Sequence, residues 1–107
     1  MKLQLLVKDS KRQVLQAVKH VHTLSSYDPP CVAYIGPAAS SPAKVVSTIA
    51  SAPSIDRAVI SYSATSTELS ESDFGNFLRT PPADDVPAKM MASLMDDGNF
   101  KSVRWPE

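Results

Sequence analysis

The sequence predicts an α/β fold built on a mostly parallel sheet. Three observations carry that expectation. Residues 3–7 form an apolar, strand-like run that leads into a polar turn and a helix-like segment at 11–24. The pattern recurs where the run 31–35 leads into a helix-like segment at 42–52. A third apolar run, 58–62, follows that helix. Strands alternating with helices build βαβ units, whose strands run parallel. The expected order is β-α-β-α-β-(α)-α-β, a single small domain over 1–107 with about four strands and helices packed on them. An α+β sandwich with its last strand antiparallel is the alternative.

Each element has its own warrant. Leu3, Leu5 and Val7 alternate with Lys2, Gln4 and Lys8, which suits a strand with one buried face. Ser10 and Gln13 have the spacing of a reciprocal capping box. Beyond them Val14, Ala17, Val18, Val21 and Leu24 recur at helical spacing, with Arg12, Gln16, Lys19 and Thr23 opposite. Pro29 and Pro30 force an extended loop. The run Cys31, Val32, Ala33, Tyr34, Ile35 is apolar on both faces, as a central parallel strand is. Ser41 before Pro42 is an N-cap and first-turn pair, and Val45, Val46, Ile49 and Ala50 give the second helix its buried face.

In the third strand Ala58, Ile60 and Tyr62 share one face, and Val59, Ser61 and Ser63 the other. The Ser/Thr-rich stretch 63–67 reads as a mobile loop. Residues 71–78 predict a short helix capped by Ser70 and Asp73, with Phe74, Phe77 and Leu78 apolar and Gly75 against it. Asp85 caps a last helix over 86–95, with Met90, Met91, Leu94 and Met95 as a core-facing stripe. Gly98 ends that helix and is free to take positive φ. Residues 100–105 predict a fourth, edge strand closed by Pro106.

Composition excludes several classes. The chain has 107 residues, 43% of them hydrophobic and 21% charged, with zero net charge. Zero net charge argues against non-specific nucleic-acid binding. No apolar run reaches the roughly 20 residues of a membrane helix, so no membrane role is expected. A single cysteine and no leader pattern suggest a cytoplasmic protein. Residues 1–55 carry six Lys/Arg against two Asp/Glu, and residues 56–107 carry five against nine. That asymmetry could draw two copies together or steer a charged partner.

Candidate sites are few. Loops leaving parallel strands open on one edge, and helix N-termini there attract anions. Lys8, Ser10, Lys11, Ser41 and Lys44 would form such an anion site, although neither loop matches a phosphate-binding glycine motif. His20 and His22 face opposite sides of a helix, so they form no metal pair; His20 is expected in solvent and His22 beside the apolar stripe. Cys31 reads as a buried structural thiol. No catalytic residue, cofactor or metal site is expected, and the chain reads as a binding protein rather than an enzyme. Trp105 on the terminal strand could anchor a partner, and Asp84, Asp85, Asp96 and Asp97 bracket the last helix with negative charge.

Two functions follow from these residues. The first is a small cytosolic interaction module: an inhibitor, an immunity or antitoxin protein, or a regulatory adaptor. It would bind another protein through a basic surface on that partner. The second is a small anion- or nucleotide-binding α/β domain, or an enzyme, that uses the carboxyl edge of its sheet.

Overall fold

The central strand of the sheet is residues 58–61, where burial alternates along the chain. The computed structural model describes residues 2–98. Its elements in chain order are α1 (Val14–Ser25), β1 (Ala33–Ile35), α2 (Ser40–Ala50), β2 (Ala58–Ser61), β3 (Phe77–Arg79) and α3 (Asp85–Asp97). Among the described residues the sheet has three strands, ordered β1-β2-β3, and both pairings are parallel. Val59 and Ser61 of β2 are fully buried, as their shared inward face requires. Around them Ala17 and Val21 of α1, Tyr34 of β1, Ala43, Val46 and Ala50 of α2, Leu69 and Phe77 form one core. The two helices pack against each other through small and β-branched side chains, and α2 also packs on β2.

Several sequence expectations are corrected. Residues 3–7 form no strand with any of the described residues, and Leu3, Leu5 and Val7 are exposed. Ser10 does not cap α1. The Asp9 carboxylate accepts the Lys11 N–H at 2.8 Å, and Lys11 and Arg12 take φ of 51° and 58°. Two successive left-handed residues cannot continue a right-handed helix. They form a turn in which the Gln13 N–H donates to the Ser10 carbonyl at 2.9 Å, and α1 starts only at Val14. The local bond from Asp9 has displaced the capping box.

Ser41 likewise caps nothing. α2 starts two residues earlier, at Ser40, with Ala39 at the cap position. β1 is short and, among the described residues, lies at the sheet edge rather than the centre, with only Tyr34 facing inward. Residues 71–78 are not a helix. Two 3-10 turns, Thr67–Ser70 and Ser72–Phe74, lead into β3. The strand wins because it satisfies the free side of β2: the Val59 N–H donates to the Asn76 carbonyl at 2.9 Å and the Thr80 N–H to the Ser61 carbonyl at 3.1 Å.

α3 forms where it was expected, but none of its residues is buried, and Met90, Met91 and Leu94 are exposed rather than core. Gly98 has φ −82°, so positive φ plays no part in its cap. The two histidines exchange roles. His22 is exposed, whereas His20 is half-buried with Nε2 2.9 Å from the Asp9 carbonyl. Cys31 is half-buried against the core. The strand expected over 100–105, with Trp105, lies outside the described residues.

Candidate functional site

Parallel pairing sends all three strands out of the sheet at one edge. Their exit loops, residues 36–39, 62–66 and 80–84, therefore form one rim. Two of these loops follow strands anticipated in the sequence. The third follows β3, so a segment read as helix supplies part of the rim.

Side chains and backbone sew the three loops together. The buried Ser61 hydroxyl donates to the Pro37 carbonyl at 2.7 Å and accepts the Ala64 N–H at 3.0 Å. Gly36 donates its N–H to the Ile60 carbonyl at 2.7 Å. Ser40, the first residue of α2, accepts the Ser66 N–H on its hydroxyl at 3.2 Å. From the β3 side, Arg79 Nη1 donates to the Ser66 carbonyl at 2.7 Å and reaches the Ala64 carbonyl at 3.4 Å; Nη2 donates to the Ser70 hydroxyl. The Asp84 N–H closes the set on the Thr65 carbonyl at 2.9 Å. The stretch 63–67, expected to be mobile, is thus held from both sides.

The rim has a defined polarity. The N-terminus of α2 opens on it with no side-chain cap and no acidic residue in its first turn. Free N–H groups there carry partial positive charge. Ser41, in that turn, is exposed. Lys44, one turn on, pairs with Glu68 of the first 3-10 turn. The N-terminus of α3 also opens on the rim, but Asp85 already sits in its first turn, paired with Lys89 at 3.3 Å.

Beside the rim runs a largely apolar groove of about 730 Å³ between residues 3–12 and the α1–β1 layer. Lys8, Ser10 and Lys11 line it together with Gly36, Pro37 and Tyr62. The structure therefore splits the expected anion set. Ser41 and Lys44 stand on α2, and Lys8, Ser10 and Lys11 stand across the groove. Asp84 and Asp85 lie at the rim, whereas Asp96 and Asp97 end α3 about 18 Å away. Arg79 and Ser61 were missed as site-building residues. Only the inward register of Ser61 was visible beforehand. Among the described residues no group of three or more His, Cys, Asp or Glu side chains is placed to hold a metal.

Gly36 is required by its backbone. Its φ of +102° is one that L side chains rarely adopt, while a Cβ there would meet Tyr62 Cε1 at an ordinary 4.0 Å. Gly36→Ala is therefore expected to cost about 1–2 kcal/mol through conformation alone. Urea denaturation measures it, and a loss within error would mean that the loop relaxes freely.

The ANF receptor family model, described as the receptor family ligand binding region, matches residues 1–104. The chain belongs to this family. No curated protein matches it. Three parallel strands and three helices agree with an α/β segment of a receptor ligand-binding region. Membership overturns the expectation of an intracellular inhibitor, immunity or antitoxin protein, or adaptor: a receptor ligand-binding region acts by taking a ligand. Among the described residues no helix is long and apolar enough to cross a membrane.

Proposed function

We propose that the rim binds a small ligand bearing an anionic group, with the N-terminus of α2 receiving the negative end. The observation that carries this is an uncapped helix N-terminus on a rim of three parallel-strand exits, in a chain of a ligand-binding family. In open α/β sheets, ligands sit outside the carboxyl ends of the strands. The N–H groups and hydroxyl of the first turn would hold the anion. Ser63 and Tyr62, both exposed at the end of β2, would meet the rest of the ligand. Lys44 adds positive charge one turn in, moderated by Glu68. Regions of this family are often extracellular, which does not favour the cytoplasmic placement expected from the sequence.

The test is a thermal-shift series with small carboxylates and inorganic phosphate. A ligand at a hundred times its Kd stabilises the native state by about 2.7 kcal/mol. Ser41→Asp separates ligand from fold. A carboxylate in the first turn of α2 should stabilise the ligand-free chain by about 0.5 kcal/mol. The same charge should weaken anion binding about tenfold or more. A melting temperature unmoved by every anion, or affinity unaltered in Ser41→Asp, removes the proposal.

A further inference from the structure

Lys44 and Glu68 form an ion pair that joins α2 to the first 3-10 turn, Thr67–Ser70. Lys44 stands four residues after Ser40 and three after Ser41, so the three side chains share one face of the helix. Helix side chains lean toward the N-terminus, which lays the Lys44 stem over the first turn. That side chain is only 28% exposed, and its packed stem limits where the ammonium can go. Glu68 is the loose member of the pair, at 62% exposed.

Other bonds hold the turn that carries Glu68. The Ser66 N–H donates to the Ser40 hydroxyl, Arg79 donates to the Ser66 carbonyl and the Ser70 hydroxyl, and Leu69 is buried in the core. The Glu71 N–H donates to the Glu68 carbonyl at 3.1 Å. The Glu68 side chain can therefore leave Lys44 without unfolding the turn. An ion pair this exposed adds little to stability. What it supplies is a carboxylate of the chain's own beside a helix terminus whose first turn holds no acid.

We propose that Glu68 is a resident stand-in for the ligand: the ligand's anionic group replaces the Glu68 carboxylate on Lys44 as it settles on the first turn of α2. This rests on the rim proposal and deepens it. Lys44 becomes the direct charge partner of the ligand, and Glu68 sets which ligands bind. A carboxylate or phosphate has oxygens enough to accept from a first-turn N–H and from the ammonium together. A neutral ligand gives no return for displacing Glu68, so the pair screens the site against it.

A double-mutant cycle tests the exchange. Inorganic phosphate is titrated, at constant ionic strength, into the unaltered chain, Glu68→Gln, Lys44→Gln and the double variant, and amide NMR reads the affinity. Glu68→Gln should tighten binding about tenfold and Lys44→Gln should weaken it about tenfold. In the Lys44→Gln background Glu68→Gln should gain less than about twofold, because no ammonium is left to compete for. In the unaltered chain the carboxyl 13C resonance of Glu68 should move toward that of a solvated glutamate as phosphate saturates. Without phosphate, all four forms should melt within about 4 °C of one another. An equal gain from Glu68→Gln in both backgrounds would reduce Glu68 to simple repulsion and overturn the exchange. Unchanged affinity in Glu68→Gln overturns it too. In either case phosphate still binds and the rim proposal stands. Phosphate that binds none of the four forms removes the rim proposal, and the exchange with it.

Discussion

Arg79→Ala is expected to lower stability by about 2–3 kcal/mol and to release the loop after β2. The guanidinium is half-buried and donates to the Ser66 carbonyl, the Ala64 carbonyl and the Ser70 hydroxyl. Hydrogen bonds from a charged donor contribute about 1.5–3 kcal/mol each, and partial exposure reduces that. Removing the side chain also leaves two carbonyls on the rim without their partner. Arg79→Lys should recover less than half of the loss, since an ammonium cannot span the fork. The urea midpoint should fall with its slope unchanged. A loss below about 0.5 kcal/mol would mean that the loop holds its shape without the clamp.

Ser61→Ala should cost about 2–3 kcal/mol, more than loss of one hydroxyl usually does. Its oxygen bridges two loops, and the substitution strands the Pro37 carbonyl and the buried Ala64 N–H. An orphaned buried polar group carries its full desolvation cost. Ser47 supplies the internal control. It is equally buried, yet its hydroxyl has no hydrogen-bond partner among the described residues. Ser47→Ala should therefore be neutral or stabilising. Equal effects at the two serines would refute the bridging role of Ser61, because both variants remove the same atom from the same degree of burial.

The elements legible in the sequence are those whose pattern agrees with their final environment. Ala17 and Val21, Val46 and Ala50, and Val59 all face the core at the spacing that predicted α1, α2 and β2. The failures share one cause: local patterns do not record what a neighbouring strand still needs. Phe74, Phe77 and Leu78 recur as on a helix, but only Phe77 is buried, and its backbone is claimed by the open side of β2. Ser10 and Ser41 have the right residue type for caps, yet Asp9 captures the first turn and α2 begins ahead of Ser41. The methionines of α3 have core spacing and meet no core among the described residues. For the site, the carboxyl edge and the α2 terminus were readable from strand–helix alternation. Arg79 was not, because a residue assigned beyond a helix end had no visible reason to reach the β2 loop.

Strand order along the sheet follows chain order, β1 then β2 then β3. Each strand therefore pairs only with the one made just before or just after it. During synthesis on a ribosome, the β1–β2 pair can close once residue 61 has emerged, and β3 adds to an edge already present. Among the described strands none waits, exposed, for a late partner, and the three loops of the carboxyl rim are all made before α3 leaves the exit tunnel.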